Sequence, residues 1–191
     1  MSLHVANVCK SSYIQLRQIS SIRQYLTTDA TKTLVCAFIL SRLDYCNSLL
    51  AGCPITCTNK LQRVQNAAAR LICKAKKFDH VSPLLQSLHW LPITSRIQYK
   101  IGTICYNALA ATGPSYISDL LEQYTPARQL RSSTDTRVLR KPRVISKSYG
   151  ERTFSHFGPT TWNNLPYVIR HSKSRDSFCN RLKTHLFASS Y

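Results

Sequence analysis

Acidic side chains are scarce in this sequence. Its 191 residues include 8 Asp and Glu against 26 Lys and Arg, which gives a formal net charge of +18 at pH 7. Because so many like charges repel one another, this imbalance predicts polyanionic partners, with nucleic acid ahead of an anionic membrane. The length is sufficient for one domain with a real core or for two small domains.

Long apolar runs are also missing. No stretch of 18 apolar residues is present, so no transmembrane helix is expected. Residues 1–7 have neither a basic n-region nor a long apolar h-region, so no signal peptide is expected. The eight cysteines are therefore interpreted as free thiols in a reducing, intracellular compartment, and nucleic acid as partner makes the nucleus the expected location.

The shortage of carboxylates weighs against metal-dependent catalysis. Two-metal polymerisation needs carboxylates that hold ions about 3.5 to 4 Å apart. Among the eight acids, only Asp119 and Glu122 lie within four residues of each other. A solvated helix face explains that pair better than a metal site, so neither a metal nor another cofactor is expected.

Residues 59–78 combine a core face with a basic face. The apolar residues recur every three or four positions and predict one buried stripe of a helix, formed by Leu61, Val64, Ala68, Leu71, Ile72 and Ala75. Basic residues follow the same steps on a separate arc, where Ala67 occupies the one uncharged place: Lys60, Arg63, Arg70, Lys74 and Lys77.

This basic arc has no internal counterion. Residues 45–78 contain no Asp or Glu, so no ion pair between positions i and i+4 can form, and the like charges repel one another. A solvated charged surface is the alternative interpretation. Because an external anion would relieve the repulsion, the five basic residues are predicted to contact phosphates.

The spacing of apolar residues elsewhere predicts a mainly α-helical fold, an irregular helical bundle. The expected helices are residues 5–26, 27–50, 58–78, 84–88, 94–109, 114–121, 149–157 and 174–187. In the first of these, Arg17 and Arg23 are expected to point away from the apolar face. Gly158 and Pro159 are expected to end a helix, and the expected N-caps include Thr27, Thr58 and Ser174.

Residues 128–147 lose the helical period and are rich in Arg and Lys. Apolar pairs on either side of Pro142 allow two short extended pieces at a sheet edge, so this segment is predicted to be a basic, partly extended arm or short hairpin. Its predicted phosphate contacts are Arg131, Arg137, Arg140, Lys141, Arg143 and Lys147. No base-reading motif accompanies these residues, so binding is expected to be largely independent of sequence.

Two further groups of residues allow a functional and a structural interpretation. Cys53 and Cys57, with Cys73 and His80 or His89, have the ligand types of a zinc site. Their spacing is loose and lacks a second compact pair, so buried or partly exposed thiols are preferred, with zinc as the alternative.

The two tryptophans each lie close before a proline. Trp90 precedes Pro92 and Trp162 precedes Pro166. Aromatic side chains can stack on the bases of single strands. A tryptophan in a turn beside proline more often packs one helix onto another, so packing is the preferred interpretation and stacking the alternative.

Six segments together resemble a known family. They are residues 41–50 (Ser-Arg-Leu-Asp-Tyr-Cys-Asn-Ser-Leu-Leu), 61–71 (Leu-Gln-Arg-Val-Gln-Asn-Ala-Ala-Ala-Arg-Leu), 89–92 (His-Trp-Leu-Pro), 113–116 (Gly-Pro-Ser-Tyr), 130–133 (Leu-Arg-Ser-Ser) and 162–166 (Trp-Asn-Asn-Leu-Pro). In this order they resemble the region after the polymerase domain of jockey-like, LINE-type non-LTR retrotransposon reverse transcriptases. The resemblance covers nearly the whole chain.

The resemblance implies a thumb-like helical region at residues 1–78, a helical continuation at 79–125, and a basic arm with C-terminal helices at 126–191. It implies template RNA or target DNA as the partner, together with the polymerase domain of a full-length element. The family's endonuclease and its polymerase aspartates are absent from this sequence. We therefore expect a non-catalytic fragment that binds nucleic acid; a helical scaffold that formerly docked on the lost polymerase domain is the alternative.

Overall fold

Helices account for most of the chain in the computed structural model, which describes residues 1–125, 137–146 and 149–191. Within these ranges no β-strand forms, and one isolated antiparallel bridge joins Gln123 and Leu139. The predicted mainly α-helical fold is therefore confirmed. None of the helices in these ranges has both the length and the apolar character that crossing a membrane requires.

The described chain divides into two compact units. The first comprises Met1–Arg96 and Phe187–Tyr191, and the second comprises Ile97–Leu186. The functional division into residues 1–78, 79–125 and 126–191 that the resemblance implies stays a prediction.

The helices of the first unit lie mainly before residue 90. They are α1 (Ser2–Ile22), α2 (Thr28–Val35), α3 (Ser41–Asp44), α4 (Ile55–Cys73) and α5 (Ser82–Ser87). A π-helical segment, Cys36–Leu40, connects α2 to α3, and two 3₁₀ turns occupy Arg23–Tyr25 and Asn47–Leu50. Helix α6 (Ile93–Leu109) begins in this unit and ends in the second.

The second unit contains most of the remaining helices. They are α7 (Ser115–Ser118), α8 (Phe154–Asn163), α9 (Tyr167–Arg170) and most of α10 (Arg175–Ser190), with a 3₁₀ turn at Gly150–Arg152. The last residues of α10, from Phe187 onward, belong to the first unit. Two predicted caps are confirmed at α2 and α10. The Thr27 hydroxyl accepts from the Ala30 N–H at 3.2 Å, and the Ser174 hydroxyl accepts from the Ser177 N–H at 3.2 Å.

Helix α4 buries the apolar face that its period predicted. Leu61, Val64, Ala68 and Ile72 are at most 2% exposed, while Leu71 and Ala75 are partly buried. Helix α4 packs along α1, whose own buried side includes Val5, Leu16 and Ile19. The core of the first unit therefore fixes the orientation of the basic face of α4.

The two ends of α4 differ from the prediction. The helix begins at Ile55, three residues before the expected cap at Thr58, and ends at Cys73. It ends there because Lys74 has φ 52°, a left-handed conformation that cannot continue a right-handed helix. The expectation that Lys74 and Lys77 continue the helical face is therefore wrong.

Arg23 lies at the C-terminal end of α4. Its Nε donates to the Leu71 carbonyl at 3.0 Å, its Nη2 to the Ile72 carbonyl at 2.9 Å, and its Nη1 to the Leu26 carbonyl at 2.8 Å. The last carbonyls of a helix lack hydrogen-bond donors within the helix and lie at the negative end of the helix dipole. A guanidinium group donates hydrogen bonds to these carbonyls and places a positive charge beside the negative end of the dipole. Arg23 is only 7% exposed, so the expectation that it points away from the core is wrong.

Helix α8 continues through the predicted break at Gly158 and Pro159. A Cβ atom on Gly158 would lie 3.3 Å from the Cys105 sulfur, which shows how closely the helix approaches its neighbour. Gly158, Pro159 and Trp162 are all buried. The packing of this face outweighs the hydrogen bond that a proline inside a helix cannot make.

The described part of the arm is attached to the second unit at Leu139, which is 1% exposed. The side-chain amide of Asn163 binds both backbone polar groups of Leu139. Its Oδ1 accepts from the Leu139 N–H at 2.9 Å, and its Nδ2 donates to the Leu139 carbonyl at 2.8 Å. Backbone hydrogen bonds from Tyr124 to Val138 and from Arg140 to Glu122 complete a short extended pairing. The predicted extended piece thus includes residues 138–140, paired with residues 122–124.

Candidate nucleic-acid interface

Three of the predicted phosphate contacts lie on one face of α4. Lys60 and Arg63 are exposed, and Arg70 is partly buried. The Nη2 of Arg70 donates to the backbone carbonyl of Asp79 at 3.1 Å. Within the described residues, none of the three basic groups forms a salt bridge with a carboxylate.

Two residues of α1 lie beside this basic face. Burial raises the pKa of the Cys9 thiol, and the positive charge of Lys60 opposes that rise. Burial likewise raises the pKa of the Tyr13 hydroxyl, against the opposing charge of Arg63. Since charges act in this way over short distances, Lys60 lies near Cys9 and Arg63 lies near Tyr13.

Helices α1 and α4 run in the same direction. Cys9 is near Lys60, Tyr13 is near Arg63, and Arg23 binds the end of α4. These contacts advance together along both helices, as contacts between parallel helices do.

Helix α1 adds two cations to this surface. Lys10 and Arg17 stand three residues before and four residues after Tyr13, so on a helix they are its neighbours. Both are exposed. Arg17 follows Tyr13 by four residues, and Ala67 follows Arg63 by four residues, so Arg17 stands level with Ala67.

Neither helix carries a carboxylate. The sequence has no Asp or Glu before Asp29 and none between Asp44 and Asp79. Asp44 forms a salt bridge with Arg96, and the Asp79 carboxylate accepts from the Lys76 N–H at 2.7 Å in the turn after α4. The α1–α4 basic surface is defined here as Lys10, Arg17, Lys60, Arg63 and Arg70, with Tyr13 among them.

Lys74 and Lys77 lie just beyond this surface. Both are exposed, in the turn that follows α4. The Lys77 ammonium lies 5.5 Å from the ring centroid of the neighbouring Phe78. As phosphate contacts, these two lysines stay predictions.

Two arginines of the arm bind other parts of the second unit. The Nη1 of Arg137 donates to the Arg170 carbonyl at 2.8 Å, and Arg137 is partly buried. Arg140 forms an ion pair with Glu122 at 3.1 Å, in which both side chains are exposed. These two arginines already have partners in the fold, whereas on the α1–α4 basic surface, among the described residues, Arg70 alone has one, the Asp79 carbonyl.

Two further predicted contacts of the arm, Lys141 and Arg143, form no salt bridge within the described residues. Lys141 and Arg143 are exposed and, with Arg140, line a cleft of about 670 Å³ that also contains Asp119 and Glu122. The predicted contacts Arg131 and Lys147 lie outside the described residues.

The cysteines are all free thiols, of which Cys57 and Cys105 are buried and Cys46 is exposed. The interpretation as buried or partly exposed thiols is confirmed. In the part of the chain that the structure describes, no group of three or more His, Cys, Asp or Glu side chains could hold a metal ion. Burial raises the pKa of Cys105 to about 12, so this thiol stays protonated near neutral pH.

Both tryptophans are packing residues. Trp162 is completely buried, and its Nε1 donates to the Arg137 carbonyl at 2.6 Å. Trp90 is 5% exposed. The packing interpretation is confirmed for both, because a buried indole ring offers no face to a base.

Two of the segments that resemble the family contact each other. Gln65, which is fully buried, donates from Nε2 to the Leu91 carbonyl at 2.8 Å, and the Gln62 Oε1 accepts from the Ile93 N–H at 2.9 Å. The Gln65 bond joins residues 61–71 to the turn at 89–92, and the Gln62 bond joins them to the start of α6. Gln62 and Gln65 were not predicted as contact residues, although their spacing of three residues on α4 places them on one side of the helix.

Comparisons with protein-family models, with curated proteins and with solved structures find no match. The functional interpretation therefore rests on the chemistry of the described surfaces and on the sequence segments.

Proposed function

We propose that the chain binds the phosphate backbone of RNA or DNA through the α1–α4 basic surface and catalyses no reaction. The observation that carries this proposal is a pair of packed helices with five basic side chains and no carboxylate. Cations at this spacing repel one another, and a bound phosphate chain relieves that repulsion.

Binding by phosphate neutralisation has a measurable consequence. Each contact releases condensed counterions, so the logarithm of affinity falls with the logarithm of salt concentration by about 0.7 to 0.9 per contact. Five contacts give a slope of about −4. Because the surface offers no base-reading pattern, different sequences should bind with similar affinity.

An origin in the C-terminal region of a retrotransposon reverse transcriptase is part of the same proposal. Its support is the order of the six resembling segments in the sequence, together with the contact of two of them: Gln65 joins residues 61–71 to residues 89–92. A nuclear location follows from the proposed partner. Lys74, Lys77, Lys141 and Arg143 remain proposed further contacts.

Two variants of equal charge test whether binding belongs to this surface. The first replaces Arg17, Lys60 and Arg63 with Gln, and the second replaces the exposed Lys100, Lys173 and Lys183 with Gln. Fluorescence anisotropy with a labelled oligonucleotide measures the slope of log affinity against log salt concentration. This slope should become less steep by about 2 to 3 for the first variant only. Circular dichroism checks that both are folded. Equal losses in both would contradict the proposal, since net charge alone would then explain binding.

A groove in the first unit favours a second candidate, the helical scaffold. The groove lies between α1 and α3, has a volume of about 660 Å³, and is lined by Asn7, Val8, Ser11, Ser41, Arg42 and Tyr45. In this reading it formerly received part of a polymerase domain. Analytical ultracentrifugation that shows concentration-dependent association, together with weak nucleic-acid binding, would favour this candidate.

A further inference from the structure

Tyr13 is an aromatic residue surrounded by cations. Its side chain is 43% exposed. Lys10 and Arg17 neighbour it on α1, and Arg63 lies near it on α4. Tyr13 could not be recognised as a candidate from the sequence, because its contact with the cation of α4 exists only when α1 packs beside α4.

Packing against the rest of the protein covers only part of the Tyr13 side chain. The buried side of α1 is formed by Val5, Ser12, Leu16 and Ile19, and Tyr13 stands at the edge of that side. Within the described residues the Tyr13 hydroxyl forms no hydrogen bond. The ring therefore offers an open aromatic surface among groups suited to phosphates.

We propose that Tyr13 stacks on a nucleobase, so that the α1–α4 basic surface prefers single-stranded nucleic acid to a duplex. This inference rests on the proposed function. In a duplex the bases stack on one another, and mainly phosphates reach a flat protein surface. In a single strand a base turns outward and stacks on an aromatic ring while cations hold the adjacent phosphates.

The positions of Tyr13 and the cations fit a surface on which the ring stacks on a base and the cations bind phosphates. The cations stand on both sides of the ring, so a strand that follows them passes over Tyr13. Stacking uses the π-face that all bases share, so it adds affinity without adding a sequence preference. The chemistry is common to single-stranded RNA and DNA.

Four ligands of about 12 units separate stacking from phosphate binding: oligo-dT, oligo-rU, an abasic strand with the same phosphates, and a duplex. The variants are Tyr13→Ala, Tyr13→Phe, and as control Tyr25→Ala, which alters another exposed tyrosine near the end of α1. Tyr13→Ala should weaken binding of the base-bearing single strands by about 5- to 160-fold. Tyr13→Phe should retain it, and Tyr25→Ala should change nothing.

The abasic strand and the duplex decide the interpretation. Tyr13→Ala should change their affinities less than about twofold, because they present phosphates without an available base. An equal loss on the abasic strand, or no loss on either base-bearing strand, would overturn the inference. A loss on oligo-rU alone or oligo-dT alone would support it for that strand type.

This experiment also separates the inference from the function on which it rests. Wild-type protein that binds none of the four ligands at low salt contradicts the proposed function. Wild-type protein that binds all four, with affinities that Tyr13→Ala leaves unchanged, contradicts only the role of Tyr13.

Discussion

Arginines of the arm donate to groups of the second unit itself, whereas the cations of the α1–α4 basic surface lie on two helices without acids. Arg137 binds the Arg170 carbonyl, and Arg140 pairs with Glu122. On the other surface, Lys60 and Arg63 are exposed beside α1. The two regions look alike in the sequence because both are rich in Lys and Arg.

The difference teaches that a count of basic residues does not identify a binding surface. A guanidinium group serves the fold when a carbonyl or a carboxylate lies within hydrogen-bond distance. It is available to a ligand when the fold supplies no such acceptor. On this criterion the α1–α4 basic surface is the stronger candidate, because four of its five cations are available and only Arg70 donates to a carbonyl, that of Asp79, within the described residues. Lys141 and Arg143 are the available cations in the described part of the arm.

The largest expected effect concerns the attachment of the arm. Leu139→Ala should lower the free energy of unfolding by about 2 to 5 kcal/mol, because it leaves a cavity at a buried position. Ile145→Ala, at a position with 107% relative exposure in the same arm, should change it by less than about 0.5 kcal/mol. Urea unfolding measures both. Equal effects would show that the arm is not held at Leu139.

A comparison of two arginines of the first unit sharpens the contrast. Arg23→Gln should cost about 2 kcal/mol of stability, because it leaves carbonyls at the end of α4 without their charged partner. Arg17→Gln should cost less than about 0.5 kcal/mol but reduce the salt slope of nucleic-acid binding by about 1. The opposite assignment, with Arg17 important for stability and Arg23 for binding, would break the comparison.

Cys9 provides a reporter of charge at Lys60. Because Lys60 opposes the rise of the Cys9 pKa, Lys60→Gln should raise that pKa further and leave less thiolate at a fixed pH of about 8. Alkylation of Cys9 should therefore slow, by less than about tenfold, as measured by mass spectrometry of peptides. A bound phosphate at Lys60 should act in the same direction.

The exposed Cys46 is the internal control for this measurement. Its alkylation rate should not respond to Lys60→Gln. Faster alkylation of Cys9 in that variant would contradict the placement of Lys60 beside it.

The smallest expected effect concerns the ion pair of the arm. Glu122→Gln should change the free energy of unfolding by less than about 1 kcal/mol, because both side chains of the Arg140 pair are exposed. If the arm is not the main binding surface, the salt slope should also stay unchanged in this variant. A steeper slope would show that Glu122 withholds Arg140 from the ligand.

The local part of the fold could be predicted from the sequence. The buried face of α4 follows from the spacing of Leu61, Val64, Ala68 and Ile72, because helical periodicity is a local property. The cap at Thr27 follows from side-chain chemistry beside its helix.

What the sequence could not reveal depends on distant contacts. Arg23 binds carbonyls 48 and 49 residues away, so its burial and its place at the end of α4 have no local signal. The passage of α8 through Pro159 depends on the close approach to Cys105. For the candidate site, Arg63 and Arg70 were predictable from spacing, but Tyr13 joins them only through the packing of α1 on α4.

The salt dependence of nucleic-acid binding by the unmodified chain tests the central claim most directly. The affinity for a labelled single strand would be measured from about 50 to 200 mM salt. Five phosphate contacts on the α1–α4 basic surface predict a slope of about −4 in the plot of log affinity against log salt. Binding that does not respond to salt, or no binding at the lowest salt concentration, would contradict the claim.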